Sequence, residues 1–104
     1  MKDYRLHTVS GRVIVKDEEL VLPASHRSQH WHKADVAAVR IDGLTTVRVG
    51  DIATYGVLAA HAPDHHTAVR ITRTDGTSRQ YGDISESPLE VAAQFNLRGY
   101  PVSA

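Results

Sequence analysis

The stretch VAAVRIDGLTTVRVG, residues 36–50, places the dipeptide Asp42-Gly43 between two segments rich in β-branched residues. The tightest β-hairpin turn needs a positive φ at both central positions, and Asp-Gly adopts that conformation at low cost. The stretch therefore predicts an antiparallel hairpin with a two-residue loop. In that register the expected pairs are Ile41 with Leu44, Val39 with Thr46, Ala38 with Val47, and Val36 with Val49.

This expected hairpin has apolar residues on both of its faces. An antiparallel sheet can leave one face in water, so a second apolar face needs a closing barrel or a partner chain to cover it. We therefore expect either that the sheet closes into a barrel or that a protein partner, or a second copy of the chain, binds one face of the hairpin. The residues of that candidate binding surface are Val36, Ala38, Val47 and Val49.

Similar turn signals divide the rest of the chain into short segments rich in Val, Ile, Thr and Tyr, which is typical of antiparallel β structure. Strands are expected at about residues 4–9, 12–16, 19–23, 36–41, 44–49, 52–60, 67–74 and 77–82. A second two-residue loop is expected at Asp75-Gly76. In its register Arg70 and Tyr81 form an outward-facing cross-strand pair, while Val69 and Ile71 face the core.

The C-terminal stretch SPLEVAAQFNLRG, residues 87–99, predicts the one α-helix. Ser87 is a good N-cap, Pro88 suits the first helical position, and Glu90 completes a capping box. Gly99 marks the end of the helix.

The same helix is expected to be mostly buried against the sheet. Glu90, Gln94 and Arg98 recur at four-residue spacing and form one narrow polar stripe. The other side chains are mainly apolar: Leu89, Val91, Ala92, Ala93, Phe95 and Leu97. The fold class is therefore mainly β (α+β), a single domain over residues 1–104. The expected architecture is an antiparallel curved sheet or small barrel of about seven or eight strands with one C-terminal α-helix.

Many short strands followed by one amphipathic helix is also the element order of the pleckstrin-homology-like family. The stretch WHKADVAAVRIDG resembles the Trp-containing segment that enters a middle strand in bacterial members, and the final helix ending in RGYPV is similar to theirs. The resemblance implies a sheet or barrel plugged by the helix, and a binding role without catalysis. It carries over no functional residue, because the Lys/Arg cluster of the phosphoinositide-binding members is not evident here.

Six of the seven histidines lie in two clusters, SHRSQHWH at residues 25–32 and HAPDHH at residues 61–66. If the first cluster is extended, His30 and His32 share one face. Imidazole is a preferred ligand of Zn²⁺, and a site needs three or four ligands from both clusters. The candidate metal ligands are His26, His30, His32, His61, His65 and His66.

The histidines also fit a second interpretation, in which both clusters are solvated surface loops and no cofactor is bound. Trp31 would then anchor the first loop to the core. The sequence alone does not decide whether the two clusters meet, so a histidine-ligated zinc protein, including a hydrolase, stays open as an alternative.

Charge and composition restrict the remaining classes of function. Twelve basic residues balance twelve acidic ones, so no global field attracts nucleic acid. Cysteine is absent, and no stretch approaches the roughly 20 apolar residues of a spanning helix, so we expect a cytoplasmic protein without a membrane span. Four arginines are scattered over the expected strands and turns without the interleaved aromatic residues of a single-strand binder, and they are interpreted as solubilising: Arg40, Arg48, Arg73 and Arg79.

No catalytic residues are assigned, because the chain has no nucleophile elbow, no cysteine and no phosphate-binding glycine loop. The predicted function is a small non-catalytic interaction module that binds a protein partner or itself. A small nuclease or nucleic-acid binder that uses a histidine base with Arg70 and Tyr81 is a further alternative.

Overall fold

A computed structural model of the chain describes residues 2–42, 44–49, 52–57 and 67–103, with the backbone alone for 44–49 and 52–57. The described residues form ten strands and one α-helix. In chain order these are β1 (Tyr4–Thr8), β2 (Gly11–Val15), β3 (Glu19–Leu22), β4 (Gln29–His32), β5 (Val36–Ile41), β6 (Leu44–Val49), β7 (Ile52–Val57), β8 (Thr67–Arg73), β9 (Ser78–Ile84), α1 (Pro88–Leu97) and β10 (Val102–Ser103). The expectation of a mainly β chain with one C-terminal helix is confirmed.

The strands form three hydrogen-bonded sheets. One has the order β1-β2-β3-β4, the second has the order β10-β5-β8-β9, and the third is the hairpin β6-β7. Among the described strands these pairings close no barrel, and β4 and β10 are two strands more than expected.

A single apolar core joins the two four-stranded sheets and the helix. Strand alternation places every second side chain of the sheets on the inner side. The buried members of this core are Leu6, Val13, Val15, Leu20, Leu22, Trp31, Val36, Val39, Ile41, Val69, Ile71, Tyr81, Ile84, Val91, Ala92, Phe95 and Tyr100.

The expected pairing of β5 with β6 across Asp42-Gly43 is wrong. β5 instead lies between β8 and β10, and β6 pairs with β7. On β5, Val36 lies opposite Arg73 and Ala38 lies opposite Thr72, with a bulge between them. The reason is tertiary: pairing with β8 sets Val39 and Ile41 of β5 beside Ile71 and Val69 in the core. This burial outweighs the local turn propensity.

The hairpin β8-β9 forms as expected but with a different register. Its loop has three residues, because the Arg73 N–H donates to the Thr77 carbonyl at 2.8 Å and the Gly76 N–H donates to the Arg73 carbonyl at 3.0 Å. Gly76 has φ +92°, the left-handed conformation that ends this longer loop.

The longer loop moves the β8-β9 pairing by one residue, and a one-residue slip exchanges the faces of a strand. Tyr81 lies opposite Val69 and is buried, while Arg70 lies opposite Gln80. The predicted outward Arg70–Tyr81 pair is therefore wrong.

The helix begins as the sequence predicts. The Ser87 hydroxyl accepts a hydrogen bond from the Glu90 N–H at 3.2 Å, and Gly99 follows the helix with φ +83°. The expected polar stripe is wrong at one position, because Arg98 is only 7% exposed, whereas Leu89 and Leu97 are 42% and 63% exposed. Some apolar side chains of α1 therefore face solvent, and the helix is less buried than the sequence predicts.

Three tyrosines lie in the core or pack against it, and their raised pKa values predict a loss of stability at alkaline pH. Burial raises the pKa of Tyr4 from 10.0 to about 12 and also raises the pKa of Tyr81 and Tyr100. These phenols stay protonated in the folded chain at a pH where the unfolded chain ionises. Their contribution is therefore complete below about pH 10 and is lost as the pH rises above it; for Tyr4 the loss ends near pH 12 and is at most about 1.4 kcal/mol per pH unit.

Denaturant unfolding at about pH 9 and about pH 11 measures this loss. The Tyr4→Phe variant serves as the control, because it removes one titrating phenol and should show a smaller decrease between the two pH values. A free energy of unfolding that stays constant over this range would contradict the prediction.

Candidate functional site

The first histidine cluster contains a strand, β4, which pairs with β3. In this pairing Trp31 lies opposite Leu20, and both are buried in the core. His30 and His32 flank Trp31 and are exposed on the opposite face. The sequence prediction that these two histidines share one face is confirmed, and so is the anchoring of the segment by Trp31.

The two histidines use their Nδ1 atoms in different ways. The Nδ1 of His30 lies 3.1 Å from the Glu19 carboxylate, so it donates to that carboxylate. The Nδ1 of His32 accepts a hydrogen bond from the Ala34 N–H at 3.2 Å and caps the short 3-10 helix that follows. A metal on this nitrogen of His32 would displace the cap, whereas the carboxylate on His30 is the kind of group that orients a ligating imidazole.

The other candidate ligands do not complete a site in the described part of the chain. His26 is exposed in a bend before β4, and His61, His65 and His66 lie outside the described residues. Within the described ranges no group of three or more His, Cys, Asp or Glu side chains could hold a metal ion. Convergence of the two clusters on Zn²⁺ remains a prediction.

The four residues of the expected binding surface lie on two strands that do not pair. Val36 is buried in the core and Ala38 is half-buried, both on β5. Val47 and Val49 lie on β6, where the backbone register places them opposite Thr54 and Ile52 of β7. Val36 therefore contributes to the interior, and β6 is the part of the surface that stays a candidate.

The hairpin β6-β7 is a separate element of the fold. Its ladder is regular from Leu44 opposite Val57 to Val49 opposite Ile52, and neither strand belongs to a four-stranded sheet. Helix α1 lies beside β7. Each outer strand edge of a two-stranded ribbon presents backbone N–H and C=O groups that its own ladder does not use.

Comparisons with protein-family models, curated proteins and solved structures found no match to this chain. Among the described residues, no helix has the length and apolar character needed to span a membrane.

A polar row that the sequence does not reveal crosses the second sheet. Ser103, Arg40, Arg70 and Gln80 lie at directly opposed positions on four neighbouring strands. These residues are distant in the chain, and the sequence alone predicts Arg40 to be one of several scattered solubilising arginines. Only the pairing of β5 with β8 brings them together, and that pairing differs from the one expected from the turn sequence.

Proposed function

We propose that the chain is a non-catalytic interaction module that associates with a second copy of itself through the hairpin β6-β7. One observation carries this proposal: among the described strands, β6 and β7 pair with each other and belong to neither four-stranded sheet. A two-stranded ribbon on its own is at best marginally stable in water; α1 lies beside β7, and strands added at an outer edge would stabilise the hairpin further. The hairpin is therefore suited to strand addition.

A second copy of the chain is the partner that best fits this edge. Two identical strand edges related by a two-fold axis are self-complementary, so two hairpins can join into one four-stranded antiparallel sheet. The sequences LTTVRV and IATYGV contain many β-branched residues and one charged residue. Such segments have a high β propensity and few of the charges that protect an exposed edge.

The element order of strands followed by a helix supports the binding role that the resemblance to the pleckstrin-homology-like family implies. The zinc alternative has less support, because the Nδ1 of His32 accepts from Ala34 whereas only His30 contacts an orienting carboxylate. The nuclease alternative loses its proposed pair, because Tyr81 is buried away from Arg70.

Sedimentation velocity on the wild type and Val47→Lys tests the association. We expect the wild type to sediment as a dimer and Val47→Lys as a monomer, because a lysine within the added strand places like charges near each other at the two-fold interface. Circular dichroism checks that the variant retains its β structure.

The matched control is Val9→Lys, since Val9 is 71% exposed just beyond β1. This variant receives the same charge far from β6 in sequence and should remain a dimer. A monomeric wild type, or a Val47→Lys dimer as stable as the wild-type dimer, would contradict the proposal.

A further inference from the structure

A cleft of about 290 Å³ opens on the outer face of the sheet β10-β5-β8-β9. We name it the arginine cleft, and it is lined by Arg40, Asp42, Ala68, Val69, Arg70 and Gln80. Its arginines and Gln80 are exposed, whereas the neighbouring residues Val39 and Ile71 turn into the core. The cleft therefore belongs to the solvent side of the sheet.

The strand register sets two positive charges beside each other in this cleft. Arg40 of β5 lies directly opposite Arg70 of β8. Directly opposed residues of antiparallel strands have Cβ atoms about 4.5–5.5 Å apart, and like charges at such positions are destabilising. In the described part of the chain, neither guanidinium forms a salt bridge with a carboxylate. Asp42 is the one carboxylate among the lining residues, so two positive charges face one negative charge.

Neutral donors lie on both sides of the arginine pair in the strand register. The Gln80 Oε1 accepts a hydrogen bond from Arg70 Nη2 at 2.9 Å, which orients the guanidinium and leaves the amide nitrogen of Gln80 as a donor. Ser103 lies opposite Arg40 on the other edge and is exposed. Four neighbouring strands thus each contribute one side chain with hydrogen-bond donors to a single row.

We infer that the arginine cleft binds a phosphate group, either free or as a phosphate ester. A guanidinium fork can donate two parallel hydrogen bonds to one oxyanion. The two guanidinium groups and the Gln80 amide offer more N–H donors than the two oxygens of a carboxylate readily accept. A phosphate group has more acceptor oxygens and therefore satisfies more of these donors. The bound anion would also remove the repulsion between Arg40 and Arg70. This inference does not depend on the association of β6-β7.

Thermal unfolding in about 10 mM inorganic phosphate, against sodium chloride at equal ionic strength, tests the inference. When phosphate exceeds its Kd about tenfold, the wild-type melting temperature should rise by roughly 4–8 °C. Arg40→Gln and Arg70→Gln should lose this rise. In chloride alone both variants should melt no lower than the wild type, because each removes one of two repelling charges.

The control variant is Arg5→Gln, since Arg5 is an exposed arginine on β1 of the other sheet. It should keep the full response to phosphate. Equal responses of all four proteins would show a general salt effect and overturn the inference, as would the absence of any response in the wild type. Isothermal titration gives a second readout, with a Kd at least about tenfold higher in Arg40→Gln than in the wild type.

The same titration with phosphoserine distinguishes the two sources of the phosphate group. Tighter binding of phosphoserine than of inorganic phosphate would assign the cleft to a phosphate ester. Equal or weaker binding would assign it to the free anion. Failure of both compounds to bind would overturn the inference without affecting the association test on Val47→Lys.

Discussion

Replacement of Phe95 by alanine is expected to lower the free energy of unfolding by about 3–5 kcal/mol. Phe95 is fully buried at the centre of the helix–sheet contact. Its ring meets the Tyr100 ring edge-on, with centroids 5.9 Å apart and an interplanar angle of 87°. The substitution removes the largest apolar group that α1 contributes and leaves a cavity. Denaturant unfolding followed by circular dichroism measures the loss.

The matched control lies two residues further along the same helix. Leu97 is 63% exposed, so Leu97→Ala removes little buried surface and should change the free energy of unfolding by no more than about 0.5 kcal/mol. Equal losses in the two variants would show that α1 does not pack through the face that contains Phe95.

Arg98→Ala should have the second large effect, a loss of about 1.5–3 kcal/mol. Arg98 Nη1 donates to the Gln94 carbonyl and to Gln94 Oε1, both at 2.8 Å, and Nη2 donates to the Lys2 carbonyl. Its guanidinium also lies 6.0 Å from the centre of the Tyr4 ring. Arg98 thus joins the end of α1 to the segment that leads into β1, and alanine leaves the Lys2 carbonyl without this donor.

Arg12→Ala is the control for Arg98→Ala, because Arg12 is an exposed arginine on β2. Its removal should alter the unfolding midpoint little, since exposed charges contribute little to stability. An Arg98→Ala loss no greater than that of Arg12→Ala would mean that the buried guanidinium does not hold the N-terminal segment.

Local signals made part of this fold predictable from the sequence. The N-cap of α1 depends on Ser87 and Glu90, which are three residues apart, and the hydrogen bond between them forms as expected. The eight expected strands also lie close to strands of the structure, because alternation and turn residues act over short distances. β4 was missed, since its sequence QHWH has one apolar residue.

Features that depend on distant partners could not be predicted in the same way. Asp42-Gly43 and Asp75-Gly76 both favour two-residue loops, yet one lies between strands that do not pair and the other lies in a longer loop. The four-residue spacing of Arg98 predicts a place on the exposed polar stripe of the helix. Its side chain is buried instead, because it donates a hydrogen bond to the Lys2 carbonyl at the opposite end of the chain. The arginine cleft likewise requires the pairing of β5 with β8.

The central claim, association through β6-β7, is tested most directly by hydrogen exchange of the backbone amides in these two strands. Added strands form hydrogen bonds with edge amides, so their exchange should slow as the protein concentration rises above the dissociation constant of the dimer. Amides of β2, which is paired on both sides within its sheet, serve as the internal reference. We predict concentration-dependent protection along one outer edge of the hairpin in the wild type and its loss in Val47→Lys. If the wild type dimerises but the edge amides of β6 and β7 exchange at the same rate at all protein concentrations, the dimer does not form through this hairpin.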